Sequence, residues 1–197
     1  MQDETFFSRS PELMSVGETA LLIVDVQERL LPAIAGYARV VFNARRLIDG
    51  AGMLGIPVVA TEQYPKGLGP TVPVLAERLA NEIPSKLKFS CTGCPDIFRR
   101  LREDGIHKIL VAGIEAHVCV QQSVLDLLSD GWRVYAAVDA IGSRYAIDYE
   151  IALRRMDSSG AVLTTTEAAL FEWCEAAGTS QFKEISRLVR ETPPEES

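Results

Sequence analysis

The chain has 197 residues, 47% of them hydrophobic, and a formal net charge of −7 with an isoelectric point near 5.0. A single domain of this length buries roughly 70% of its unfolded surface and needs no disulfide or metal to hold its core. The acidic balance argues against nucleic acid, whose phosphates demand clustered Lys and Arg, and no apolar run approaches the roughly 18 residues of a membrane span.

Residues 1–17 read as a polar N-terminal arm without a clear period. Asp3, Glu4, Arg9 and Glu12 are mixed with apolar residues there, as no secretory signal would have them. The expected location is therefore cytoplasmic, and the four cysteines are expected to be thiols. Short β-rich runs follow at residues 20–24, 56–60, 108–112, 134–138 and 161–164, with a weaker one near 82–85. The first four are almost continuously apolar, the pattern of strands buried on both faces of a parallel sheet.

Helical spacing separates these runs. Val40, Ala44, Leu47, Ile48, Ala51 and Leu54 recur at three and four, as do Val120, Val124, Leu127 and Leu128. Shorter helical patterns lie around Leu75 and Leu79, around Ile97 and Leu101, and over 147–156. Gly105 and Gly131 each close a helix just before a strand. Residues 166–177 and 181–190 read as terminal helices, and 191–197 as a frayed tail. Alternation of strand and helix predicts βαβ units, a helix-covered parallel sheet, and one domain over 18–190.

In such a sheet, ligands bind beyond the carboxyl ends of the strands. Asp25 follows the first run, Lys86 the weak one, and Gly113, Glu115, His117 and Cys119 the run at 108–112. A carboxylate after four apolar residues is poorly solvated, which raises its proton affinity and suits a general base. A Lys at a strand end suggests a carboxylate nearby, and Lys88 competes with Lys86 for that part. Cys119 is placed to open the helix whose stripe starts at Val120, where the dipole would favour a thiolate. A buried structural Cys is the alternative.

The stretches "LLIVDVQERLLPAI", "TEQYPKGLGPTVPVL", "SKLKFSC" and "VAGIEAHVCVQQSVLDLLSDGWRVYAAVDAIGSR" resemble the isochorismatase-like cysteine hydrolases, and within them the isochorismatase-domain-containing proteins. The resemblance covers about residues 18 to 175. It implies a three-layer αβα fold on a six-stranded parallel sheet in the order 3-2-1-4-5-6. It also implies a catalytic triad with Asp25 as base, Cys119 as nucleophile and Lys86 as the cation. The family pattern of Lys, two residues, then Phe-Ser selects Lys86 over Lys88.

The implied oxyanion hole is the backbone N–H of Glu115 and of Cys119, with a cis peptide bond leading into Glu115. The implied reaction is hydrolysis of a small amide or related C–N bond through a thioester. No cofactor is implied. Nicotinamidases of this superfamily hold a metal with an Asp and His cluster, but "TEQYPKGLGPT" has no His, so neither metal nor nicotinamide is expected. The retained thiol likewise argues against isochorismate. Gln63, Tyr64 and Phe89 are expected to border the pocket and touch a small-molecule substrate. Family members commonly assemble, so a homo-oligomer is expected, with no nucleic-acid or membrane partner.

Two other classes compete with the hydrolase: a catalytically silent binding or scaffold protein, and a redox protein using the CxxC of Cys91 and Cys94. His117 is expected to serve the tight turn before Cys119. Asp139 is expected to follow its strand and tie loops together.

Overall fold

A computed structural model describes residues 8–79 and 82–193. The first seven residues of the expected arm and the last four of the expected tail lie outside the described residues. At the centre is a six-stranded parallel sheet, ordered β3-β2-β1-β4-β5-β6. The strands are β1 (Thr19–Val24), β2 (Val58–Gln63), β3 (Ser85–Lys86), β4 (Lys108–Ile114), β5 (Arg133–Gly142) and β6 (Val162–Thr164). The α-helices among the described residues are α1 (Tyr37–Leu54), α2 (Pro65–Leu68), α3 (Pro73–Ala76), α4 (Pro95–Glu103), α5 (Gln121–Ser129), α6 (Ala146–Ser158), α7 (Thr166–Cys174) and α8 (Ser180–Val189).

Alternation along the strands sorts the core into two layers. Leu21 and Ile23 of β1, with Leu110 and Ala112 of β4, pack with α1, α7 and α8; Ala20, Leu22, Val24, Ile109 and Val111 pack with α4, α5 and α6. Every residue of β1 and β4 is buried, which is why both read as apolar runs after Thr19 and Lys108. The three-layer αβα fold and the strand order are those expected.

Three differences from the expected strands bear on the site, each with a physical reason. β2 starts at Val58 and continues through Thr61, Glu62 and Gln63, whose polarity reads as loop. They are strand because Thr61 pairs with Val24, and Glu62 and Gln63 pair with Ser85 and Lys86. β3 is the two-residue strand Ser85–Lys86, so Lys86 lies within it rather than after it. β5 runs to Gly142 through a bulge: Val111 faces Ala136, but Gly113 already faces Ile141. Asp139 therefore sits inside β5. Its carbonyl accepts from Asn43 Nδ2 (2.9 Å) and its carboxylate from Thr166 N (2.8 Å) and Oγ1 (3.0 Å), fastening β5 to α1 and α7.

The segments near each terminus are tied to the body of the fold. Met14 is fully buried, and the backbone around it accepts from Lys108 Nζ (2.9 Å, at Leu13 O) and Arg9 Nη1 (2.9 Å, at Met14 O). At the other terminus, Arg46 reaches Leu188 O (3.3 Å) and Val189 O (3.0 Å), holding the last carbonyls of α8 against α1.

Candidate functional site

β1 and β4 are neighbours whose onward connections run through helices on opposite faces, α1 and α5, so a crevice opens beyond their carboxyl ends. Asp25 stands at the tip of β1 and Cys119 just beyond β4. Two features let the chain bend there. Asp25 has φ +50°, which ends β1 abruptly. Gly113 has φ +128°, and a Cβ on it would lie 2.1 Å from Val24 O, so only glycine lets β4 approach β1 this closely. The Ile114–Glu115 peptide bond is cis.

The predicted Asp, Lys and Cys converge. Lys86 Nζ donates to Asp25 Oδ2 at 2.6 Å, and neither side chain is exposed to solvent. Lys86 also donates to Gln63 Oε1 (2.9 Å) and Phe89 O (2.8 Å), so three acceptors meet its three protons. Thr61 Oγ1 donates to Asp25 Oδ1 at 2.8 Å. The Cys119 thiol lies close enough to that carboxylate for the Asp25 charge to act on it. Lys88, the competing lysine, is exposed.

Electrostatics fix where the protons rest. Burial pushes the Asp25 carboxyl above its ordinary range, and the charge and hydrogen bond of Lys86 pull it back only in part. Burial opposes the Lys86 ammonium, but the charge and hydrogen bond of Asp25 outweigh it, and Lys86 holds its proton more tightly than a free lysine. Burial, then the Asp25 charge, push the Cys119 thiol strongly up. These directions favour a resting carboxylate, ammonium and thiol, rather than the thiolate that a helix start would favour. Cys119 does not open α5. It is the fourth residue of a π-helical turn, Ala116–Val120, and α5 begins at Gln121. In that turn it is 4% exposed and faces a carboxylate.

Glu115, the other expected oxyanion residue, immediately precedes the turn, and its carbonyl accepts from Val118 N (3.1 Å) and Val120 N (3.2 Å). Its buried carboxylate accepts from Arg144 N (3.2 Å) and Nε (3.0 Å). His117 turns toward β5 and α6, with Nδ1 3.1 Å from Ser143 Oγ and Nε2 3.8 Å from Asp148 Oδ2.

The expected substrate contacts divide. Tyr64 and Phe89 are about half exposed, on the β2 and β3 side of the site. Gln63 is 8% exposed, and its amide is committed to Lys86 and to Leu87 O (3.0 Å), away from open space. Its place in the extended β2 turns it inward.

Sequence reasoning missed Thr61, Gln27 and Ser123. Ser123 Oγ accepts from Cys91 N (2.8 Å) and donates to Cys119 O (2.6 Å), bridging the two cysteine backbones. Ser123 stands four residues after Cys119, and Thr61 directly follows the apolar run that ends at Ala60; neither place carries a pattern that marks such a role. The four cysteines are all free. Cys91 Sγ lies 3.3 Å from Thr61 Oγ1, and burial pushes its thiol up to about 12, whereas Cys94 faces Ser85 O at 3.8 Å.

Two clefts lie elsewhere. One of about 640 Å³ runs between α4 and α5, lined by Phe98, Arg99 and Arg102, and another of about 480 Å³ lies by the N-terminal arm. No triad residue lines either. Among the described residues, no cluster of three or more His, Cys, Asp or Glu could hold a metal, and no helix is long and apolar enough to cross a membrane.

Comparison with known proteins agrees with this architecture. Residues 19–168 match the family model described as the isochorismatase domain. Isochorismatase domain-containing protein 1 of Danio rerio is 37% identical over 183 residues, which are 92% of this chain and 64% of that protein. The chain thus spans just under two thirds of that relative's length. Isochorismatase domain-containing protein 2 of Homo sapiens is 38% identical over 180 residues, 91% of this chain and 86% of that one. A solved structure named MAR1 ribonuclease, from Caenorhabditis elegans, superposes with a TM-score of 0.86 at 39% identity, covering 93% of this chain and 95% of the other. The chain belongs to the isochorismatase-domain family.

Proposed function

We propose that the chain is a cysteine hydrolase that cleaves a small amide or related C–N bond through a thioester on Cys119. The observation carrying this reading is the convergence of Asp25, Lys86 and Cys119 from three separate strand ends. In the first half-reaction Asp25 takes the thiol proton as the sulfur attacks the carbonyl carbon, and the oxyanion forms against the backbone N–H of Cys119 and of Glu115. The C–N bond then breaks, and Asp25 returns the proton to the leaving nitrogen. Water, deprotonated by Asp25, adds to the thioester; the C–S bond breaks, the acid departs, and the thiolate recovers a proton from Asp25. Lys86 stays an ammonium throughout and steadies whichever partner carries the negative charge.

The raised thiol supports this order of events. A proton held on sulfur until a carbonyl arrives limits wasteful alkylation and oxidation, which need thiolate. The exposed Tyr64, Leu87 and Phe89 on one side and Tyr145 and Ile147 on the other suit a substrate with an apolar part, or a second copy of the chain. The ribonuclease name borne by the Caenorhabditis elegans structure finds little support in a chain of net charge −7.

Intact-mass spectrometry with a varied panel of small amides tests the proposal. An acyl adduct on the wild-type protein, absent from Cys119→Ala, is expected, together with released amine. No adduct and no amine across the panel would leave a binding protein.

A further inference from the structure

Lys86 carries its charge on a flexible four-carbon stem, so something must fix its buried head. Two of its three acceptors, Asp25 Oδ2 and Phe89 O, come from the triad and from the backbone three residues on. The third is a neutral amide, Gln63 Oε1. That amide can face Lys86 in one sense only. Its Nε2 donates to Leu87 O; turned over, an NH2 would meet the ammonium and a carbonyl would meet a carbonyl.

Gln63 is itself clamped. Gln27 Oε1 accepts from Gln63 N (2.8 Å), and Gln27 Nε2 donates to Gln63 O (3.0 Å) and Gly69 O (2.6 Å). Gln27 is fully buried. The reason lies in the backbone. β1 leaves the sheet at Asp25, and its last pairing with β2 is Val24 with Thr61. Beyond Thr61, β2 has no partner strand on that side among the described residues, and the Gln27 side chain supplies the missing donor and acceptor.

We infer that Gln63 is a positioning residue, whose side-chain carbonyl holds the Lys86 ammonium against Asp25, and that Gln27 holds Gln63 in turn. As a catalytic device this clamp has meaning only within the proposed hydrolase, whereas its hold on Lys86 is measurable without turnover. Removing the carbonyl leaves one proton of a fully buried ammonium without an acceptor. The cation becomes less favourable, Asp25 loses part of its counter-charge, and the grip on both weakens together.

The test is a titration of Lys86 by NMR in protein labelled at the lysine ε-carbon, assigned with Lys86→Met. Gln63→Met is expected to move the Lys86 midpoint down by about one to two pH units, the equivalent of one charge-assisted hydrogen bond. Gln27→Met, which keeps the acceptor but frees the backbone it clamps, is expected to move it the same way by less. A midpoint unchanged in both variants overturns the clamp. Should neither variant fold, the wild-type ammonium decides: protons resolved at neutral pH support it, and protons exchanging as freely as on surface lysines overturn it. Where a substrate is found, Gln63→Met should also shift the alkaline limb of kcat to lower pH with KM little changed. Turnover with an unmoved Lys86 midpoint would leave the hydrolase standing and the clamp refuted; a moved midpoint without any acyl adduct would do the reverse.

Discussion

Replacing Lys86 by Met tests the electrostatic core of the site through stability alone. The Lys86 ammonium and Asp25 carboxylate are both closed to solvent and 2.6 Å apart. Met fills most of the lysine stem's volume but leaves the carboxylate buried without its cation. Breaking such a pair costs about 3–5 kcal/mol, chiefly the burden of the stranded charge. For a domain of this size, 1 kcal/mol corresponds to about 2–4 °C, so Tm at pH 8 should fall by about 6–20 °C.

The pH dependence separates this cause from a packing defect. Burial already holds the Asp25 carboxyl above its ordinary range, and Lys86 is the principal influence lowering it, so the variant's Asp25 rises further. A carboxyl raised in the folded state favours folding at pH below its unfolded value, and that favour is lost as pH climbs through the folded value. The deficit of Lys86→Met should therefore narrow on acidification, by up to about 1.4 kcal/mol per pH unit between the wild-type and variant Asp25 titrations. Asp25→Asn together with Lys86→Met, which strands no charge, should recover most of the loss at pH 8. Thermal melts by circular dichroism at unit pH steps from 5 to about 8 would measure this. A Tm loss that is small and flat with pH would refute the idea of a closed charge pair.

The remaining predictions concern single groups. Asp25→Asn removes the charge and the hydrogen bond that raise the Cys119 thiol, so the thiolate should appear at lower pH in ultraviolet titration, in a background lacking the other three thiols. Turnover of any substrate should fall by about 10²–10⁴ in the same variant, because the proton acceptor is gone; a midpoint that stays or rises would show that Asp25 does not act on the sulfur. Gly113→Ala should cost at least about 3 kcal/mol by urea denaturation, given the 2.1 Å approach to Val24 O. Gly131→Ala is the control, with a left-handed φ of +84° but open space around it, and should cost only about 1 kcal/mol. Equal losses at the two glycines would mean that β1 and β4 can part without consequence.

The sheet was legible because a strand buried on both faces is apolar almost throughout, and β1, β4 and the first half of β5 follow that rule after their first residues, Thr19, Lys108 and Arg133. The reading failed where residues serve the site before they serve the core. Thr61, Glu62 and Gln63 are strand by their hydrogen bonds but polar by their duties, so hydropathy ended β2 too early. Lys86 sits in a strand of two residues, too short to leave a period of its own. The bulge that extends β5 past Asp139 depends on register against β4, a long-range property that no local window contains.

The same division runs through the site. Asp25, Lys86 and Cys119 could be picked out because an acid, a base and a thiol at strand ends are conspicuous against apolar neighbours. What they would do to one another could not, because proton affinity is set by what closes around a group rather than by its place in an element. A thiol read as sitting at a helix start was expected to ionise easily, yet the π-helical turn carries Cys119 past that position and presents it to a buried carboxylate. Burial and that neighbouring negative charge together outweigh any help from the helix, which falls off within a turn. Gln27, Gln63, Thr61 and Ser123 then shape the outcome: each is an ordinary polar residue in sequence, and each satisfies at least one donor or acceptor of the triad or of the backbone that carries it. In this chain the candidate groups are announced by residue type, and their proton affinities are shaped by the neutral amides and hydroxyls that surround them.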